Sequence, residues 1–138
     1  MEQAKFVALL NEDLETEYRS IVQYVQHLAV AKGAEFQAVA DAVRPHLNQE
    51  LEHANTLAEQ IDFLGGVPTT TVPEIPSESD TRRAFELDLE LEERQLDRYR
   101  ERYQQASELG LPDVAEALRP LLEQTQDHVR DLQGALNK

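Results

Sequence analysis

Glu50 and His53, three residues apart in "ELEH", are the side chains of this chain best placed to do chemistry. On a helix, positions i and i+3 share one face, so a carboxylate and an imidazole point the same way and can hold one cation together. "TQDH" at 125–128 repeats the histidine, His128, but has Thr125 in the place of the carboxylate. Two more glutamates stand in apolar surroundings. Glu17 falls between Leu14 and Ile21, and Glu92 between Leu89 and Leu96, each on an otherwise apolar stripe at helical spacing. A lone glutamate on an acidic helix is ordinarily a solvated group, and a lone helical histidine is more often structural than metal-bound. Several carboxylates turned into one core are different. Burying them uncompensated is costly and they repel each other, and a cation between them removes both penalties.

Other polar residues accompany this set. Tyr24 and Tyr99 read either as core residues whose hydroxyls find any partner, or as residues that bond a ligand carboxylate or donate electrons near it. His46 lies one turn from Glu50 and could cap the pocket, although a satisfied contact near the bundle end is the plainer expectation. His27, which has no evident counterpart elsewhere, reads as structural. The Thr125 hydroxyl cannot bridge two cations as a carboxylate does, but it could hold a water.

Helices must carry these groups. Phe6, Leu10, Leu14, Ile21, Tyr24, Val25 and Leu28 recur at helical spacing, and similar patterns predict helices over about 3–31, 35–64, 80–109 and 112–136 in a single domain. "AKGAE", "GGVP" and "GLPD" supply the breaks. Two short loops make the first and second helices antiparallel neighbours, and likewise the third and fourth. The middle connection is long and proline-rich. Its roughly 15 residues can reach about 50 Å, against about 40 Å for helices of this length, so it can return along the whole bundle. The fold expected is all-α: a ferritin-like four-helix bundle of two helix hairpins joined by a long crossover.

An internal repeat strengthens this expectation. Val39, Arg44, Pro45, Gln49 and His53 match Val114, Arg119, Pro120, Gln124 and His128, all 75 residues later. The same offset relates Asp13, Leu14, Glu15, Glu17, Arg19 and Tyr24 to Asp88, Leu89, Glu90, Glu92, Arg94 and Tyr99. A constant offset across two helix pairs reads as two hairpins related by a pseudo-twofold axis. Pro45 and Pro120 fall inside predicted helices, where each removes a backbone hydrogen bond. They mark either a repeated kink or helices that begin later.

Composition bounds the rest. Apolar residues make up 41% of the 138, enough for a core, and the absence of cysteine excludes disulfides and thiolate sites. The net charge of −14 repels nucleic acid and anionic membranes and attracts cations. No apolar run is long enough to span a bilayer and the acidic N-terminus does not look like a signal peptide, so a cytoplasmic protein with no membrane or nucleic-acid partner is expected.

Di-iron and di-manganese bundles use one Glu from each of two helices and a Glu-x-x-His from each of the other two. Glu17, Glu50 with His53, Glu92, and His128 supply five of those six ligands in that order. The chain also resembles a known family. "LNEDLETEYRSIVQYVQH" (10–27) is similar to the first helix of bacterioferritins, and "ELEHANTLAEQIDFLGGVP" (50–68) to their second helix and its closing turn. "DLELE" (88–92) carries a weaker likeness in the third helix, and the fourth is weaker still. The resemblance implies metal ligands at Glu17, Glu50, His53, Glu92 and His128, with Glu50 bridging, Glu17 and His53 on one metal and Glu92 and His128 on the other. It implies two iron ions, with manganese or zinc as alternatives, and a homo-oligomer of at least two subunits paired along the first two helices.

The chain departs from that family in three ways. Thr125 replaces the second bridging glutamate. Leu51 stands where bacterioferritins carry the haem-ligating methionine, so no haem is expected. A fifth helix is not evident after the fourth, nor are the basic tail and extra helix of the mini-ferritins. The activity expected is oxidation of Fe(II) by O₂ or peroxide, with a non-catalytic metal-binding bundle or a di-metal oxygenase-like enzyme as the alternatives.

Overall fold

The computed structural model describes residues 1–138 and contains four long helices and no strand. They are α1 (Gln3–Val30), α2 (Gln37–Phe63), α3 (Thr81–Glu108) and α4 (Pro112–Ala135). Their bounds follow the apolar periodicity closely. A 3-10 turn at Ala34–Phe36 delays the start of α2 to Gln37. Both α2 and α4 run straight through their prolines, Pro45 and Pro120, so neither helix begins late. Val25 is the exception to the α1 stripe, being 53% exposed.

The ends of the helices have local causes. α2 stops at Gly65, whose φ of +88° is open to a residue without Cβ, and the Gly66 N–H bonds back to Ile61 O at 2.9 Å. Gly66 is also a close approach, because a Cβ there would lie 2.5 Å from Val7 Cγ1. α3 begins with an Asp80 cap, whose carboxylate accepts from the Arg83 N–H at 3.2 Å.

The crossover is pinned along α1. Asn11 Nδ2 donates to Val67 O, the Tyr18 hydroxyl to Thr69 O and Gln26 Nε2 to Ser77 Oγ, at 3.1, 2.9 and 3.2 Å. Its start lies beside Gln3, which reaches Leu64 O, and its end beside Lys32, whose N–H donates to Thr81 Oγ1. The connection therefore travels the length of α1, and α3 runs parallel to α2. α1 packs on α2 and α3, and α4 packs on α3 and α2. This is the ferritin-like arrangement expected from the loop lengths.

The core is not one apolar mass. One cluster gathers Phe6, Leu10, Leu14, Leu57, Ile61 and Leu118 among its members, and a second gathers Val39, Val43, Phe85, Leu89, Val129 and Leu132. A buried polar group of Glu17, Glu50, His53, Glu92, Gln95, Thr125 and His128 completes the interior.

Candidate metal centre

Each helix contributes from its inner face. Glu17 on α1, Glu50 and His53 on α2, Glu92 on α3 and His128 on α4 are all 2% exposed or less. Two overlapping groups form, Glu17–Glu50–His53 and Glu50–Glu92–His128, each with one ligand atom per residue within 4.8 Å of the others. Glu50 belongs to both. Its Oε2 lies 3.6 Å from His53 Nδ1 and its Oε1 lies 2.8 Å from His128 Nδ1. Thr125, one turn before His128, is fully buried and its hydroxyl has no partner.

The flanking residues fix how these groups face. The Tyr24 hydroxyl donates to Glu92 Oε1 at 3.0 Å, and the Tyr99 hydroxyl donates to Glu17 Oε1 in a very short bond, so both tyrosines hold ligand carboxylates. Gln95 Nε2 also donates to Glu17 Oε1, at 2.9 Å. His53 Nε2 meets Gln124 Oε1 at 2.7 Å, and His128 Nε2 meets the matching Gln49 Oε1. A glutamine carbonyl only accepts, so each imidazole carries its proton on Nε2 and presents a lone pair at Nδ1. Gln49 and Gln124 were visible in the sequence as a matched pair 75 residues apart, but only their seating against the imidazoles reveals their role.

His46 is not a contact at the bundle end. It is 3% exposed, stacks on the His128 ring at 3.9 Å between centroids, and lies between the Tyr24 hydroxyl (3.4 Å) and Asp131 Oδ2 (3.1 Å). His27 does have a counterpart, though of another type. Its Nδ1 pairs with Asp88 Oδ2 at 2.8 Å, and 75 residues on Arg102 pairs with Asp13, Nε to Oδ2 at 2.8 Å. These two buried pairs tie α1 to α3. The match is hidden in the sequence because one cation is an imidazolium and the other a guanidinium.

Electrostatics sets the protonation. Burial, reinforced by Glu17 and Glu92, pushes the Glu50 carboxyl well above the usual range, so the central carboxyl holds a proton when no cation is present. Burial raises Glu17 too, but hydrogen bonds from Glu50, His53 and Tyr99 outweigh it and leave Glu17 lowered and ionised. Burial and the neighbouring carboxylates raise both phenols, which keeps Tyr24 and Tyr99 as donors.

These residues fit a cation pair. Glu17 Oε2, Glu50 Oε1, His53 Nδ1 and Thr125 Oγ1 are buried without a hydrogen-bond partner. His53 Nδ1 turns its lone pair toward Glu17 Oε1 at 3.7 Å and Glu50 Oε2 at 3.6 Å, so acceptors face acceptors. Among the donors only carboxylate and imidazole occur, a set suited to iron or manganese that zinc can also occupy.

The ferritin-like domain family matches residues 7–138. Among solved structures the chain is similar to a ferritin-like, diiron-carboxylate protein of Bacillus anthracis, with 29% identity, 99% of each chain covered and a TM-score of 0.90. It is also similar to Rhodobacter capsulatus bacterioferritin, a protein described with a dinuclear site and a haem iron, with 26% identity, 97% of this chain and 84% of that one covered, and a TM-score of 0.84. A nutrient stress-induced DNA-binding protein of Nostoc sp. is 29% identical over 99 residues, which are 64% of this chain. The match spans about half the length of that relative, 54%.

Proposed function

The chain belongs to the ferritin-like domain family, and from that premise we propose that it binds two metal ions, iron first among them, and oxidises Fe(II). The observation that carries this reading is the set of buried acceptors without donors around Glu50, a residue shared by two ligand groups. Glu17 and His53 hold one position, Glu92 and His128 the other, and Glu50 spans both. Iron bound there as Fe(II) supplies the electrons, and O₂ or peroxide accepts them.

The chain's own residues perform four tasks. Glu17, Glu50 and Glu92 bring three carboxylates, and Glu50 releases its proton as a cation arrives. Tyr24 and Tyr99 hold two of those carboxylates in position. Gln49 and Gln124 keep Nδ1 of each imidazole unprotonated. The two apolar clusters exclude water, which strengthens each of these interactions.

Thr125 favours a second reading, in which metal binds but is not oxidised, because one bridging carboxylate fewer leaves two M²⁺ ions less neutralised. Stopped-flow absorbance on mixing Fe(II) with the protein in air separates the two. Rapid growth of the near-ultraviolet absorbance of ferric iron supports oxidation. Binding of Fe(II) without that growth supports the carrier.

The partners follow from the surface. A net charge of −14 gives no support for extending the DNA binding named for the Nostoc relative to this chain, so no nucleic-acid partner is proposed. Leu51, 54% exposed, offers no thioether, so no haem is proposed. No helix is long and apolar enough to cross a membrane. Exposed Val22, Val25 and Leu51 on α1 and α2 suit pairing with a second copy. Light scattering that finds only monomer at high concentration would remove the pairing.

A further inference from the structure

The offset of 75 fails at one residue beside the site. His46 corresponds to Leu121, and the two halves differ around them. Leu121 is 1% exposed and packs into an apolar cluster, so the His53 half is sealed by hydrocarbon. On the other half a cavity of about 520 Å³ opens between α2 and α4. Its floor is polar, made by His46, Gln49 and His128. Asp127, Arg130 and Asp131 stand around it, and Asp131 is 52% exposed. The other two cavities lie elsewhere, one against Tyr18, Ile21 and Thr70 and one against Val7, Leu64 and Gly66.

We infer that this cavity is the passage through which divalent metal exchanges with the Glu92/His128 position, and that the His46 ring is what closes it. The inference rests on the two-metal reading above. A path from outside reaches His128 and Gln49 in the cavity floor, with no comparable opening at the His53 half. The His46 ring lies flat over the His128 ring, 19° between planes, so it covers the imidazole that must take the metal. Its hold is slight: Asp131 Oδ2 at 3.1 Å, itself half in solvent, and the Tyr24 hydroxyl at 3.4 Å. Two aspartates against one arginine leave the mouth attractive to a cation. The two metal positions are thus unequal in access although nearly symmetric in ligands.

The test compares exchange with equilibrium binding, using Co(II) on the intact protein. Association is followed by absorbance, and release by transfer to a strong chelator. Two variants have opposite expected signs. His46→Ala removes the cover and speeds both entry and release of one of two equivalents, by roughly tenfold or more, the factor set by no longer breaking the two hydrogen bonds of the ring. Its equilibrium affinity changes far less than either rate. Ala42→Trp fills the cavity from its wall and slows both rates. Faster release alone, with weaker affinity, would make His46 a support for the ligands and overturn the passage. Two equivalents bound with rates unchanged in both variants would overturn the passage and leave the two-metal reading standing. No Co(II) bound by the native protein would remove that reading and this inference with it.

Discussion

Replacing Glu50 with glutamine separates the two demands on this residue, folding and metal binding. In the metal-free protein burial and the flanking Glu17 and Glu92 hold the Glu50 carboxyl protonated, well above its ordinary 4.5. In the unfolded chain the same group is ionised at neutral pH. Folding must therefore take up a proton, at a cost of about 1.4 kcal/mol for each pH unit above that ordinary value, or up to ~3 kcal/mol at pH 7. Glutamine has nearly the shape of the protonated carboxyl and needs no proton. Metal-free Glu50→Gln should then be more stable than the native chain by up to ~3 kcal/mol at pH 7, on the order of 10 °C in melting temperature for a chain of this size. The gain should shrink to less than ~1 kcal/mol at pH 5. The same variant should lose stabilisation by Mn(II) or Zn(II), because neither group of ligands is complete without Glu50. Urea unfolding in the presence of a chelator, at both pH values, measures this. A variant less stable than the native chain by the same amount at pH 5 and pH 7 would refute the reasoning, since it would show that Glu50 carries no proton cost.

Three further outcomes follow from the same geometry. Thr125→Glu restores a carboxylate one turn before His128 and should tighten the weaker metal by roughly tenfold or more while raising the oxidation rate, measured by anaerobic and aerobic Fe(II) titration. Arg102→Met strands the Asp13 carboxylate in the core and should cost about 3–5 kcal/mol, with most of the loss recovered in Asp13→Asn/Arg102→Met, as read by denaturant unfolding. Burial, only partly offset by Arg102, raises Asp13 to about 7 from 3.8. The folded state then holds a proton that the unfolded chain has lost, so metal-free stability should fall as pH rises through that window and level off above it, as thermal melts across pH 4–8 would record.

The helices were legible because apolar spacing is dense and the breaks are marked by Gly65, Gly110 and Pro112. The crossover could be inferred because chain length limits where it can go. The five ligands stood out because glutamate in an apolar stripe is expensive without compensation. What surrounds them was harder to read. His46 could face inward or outward from one turn before Glu50, and only packing against His128 decides it. The His27–Asp88 and Arg102–Asp13 pairs escape a search for identical residues, since the repeat conserves charge there and not residue type. Val25 looked like part of the α1 stripe because an apolar side chain does not reveal that its face is uncovered. Pro45 and Pro120 left two geometries open, and tertiary packing on both sides of α2 and α4 carries those helices through.

The central claim is that two metals lie on either side of Glu50. Crystals soaked with Mn(II) or Fe(II), with anomalous diffraction recorded at the metal edge, test it most directly. Two peaks separated by roughly 3.5–4 Å, one beside Glu17 and His53 and the other beside Glu92 and His128, with Glu50 between them, are predicted. No peak in this layer, or a single peak bound without Glu50, would contradict it.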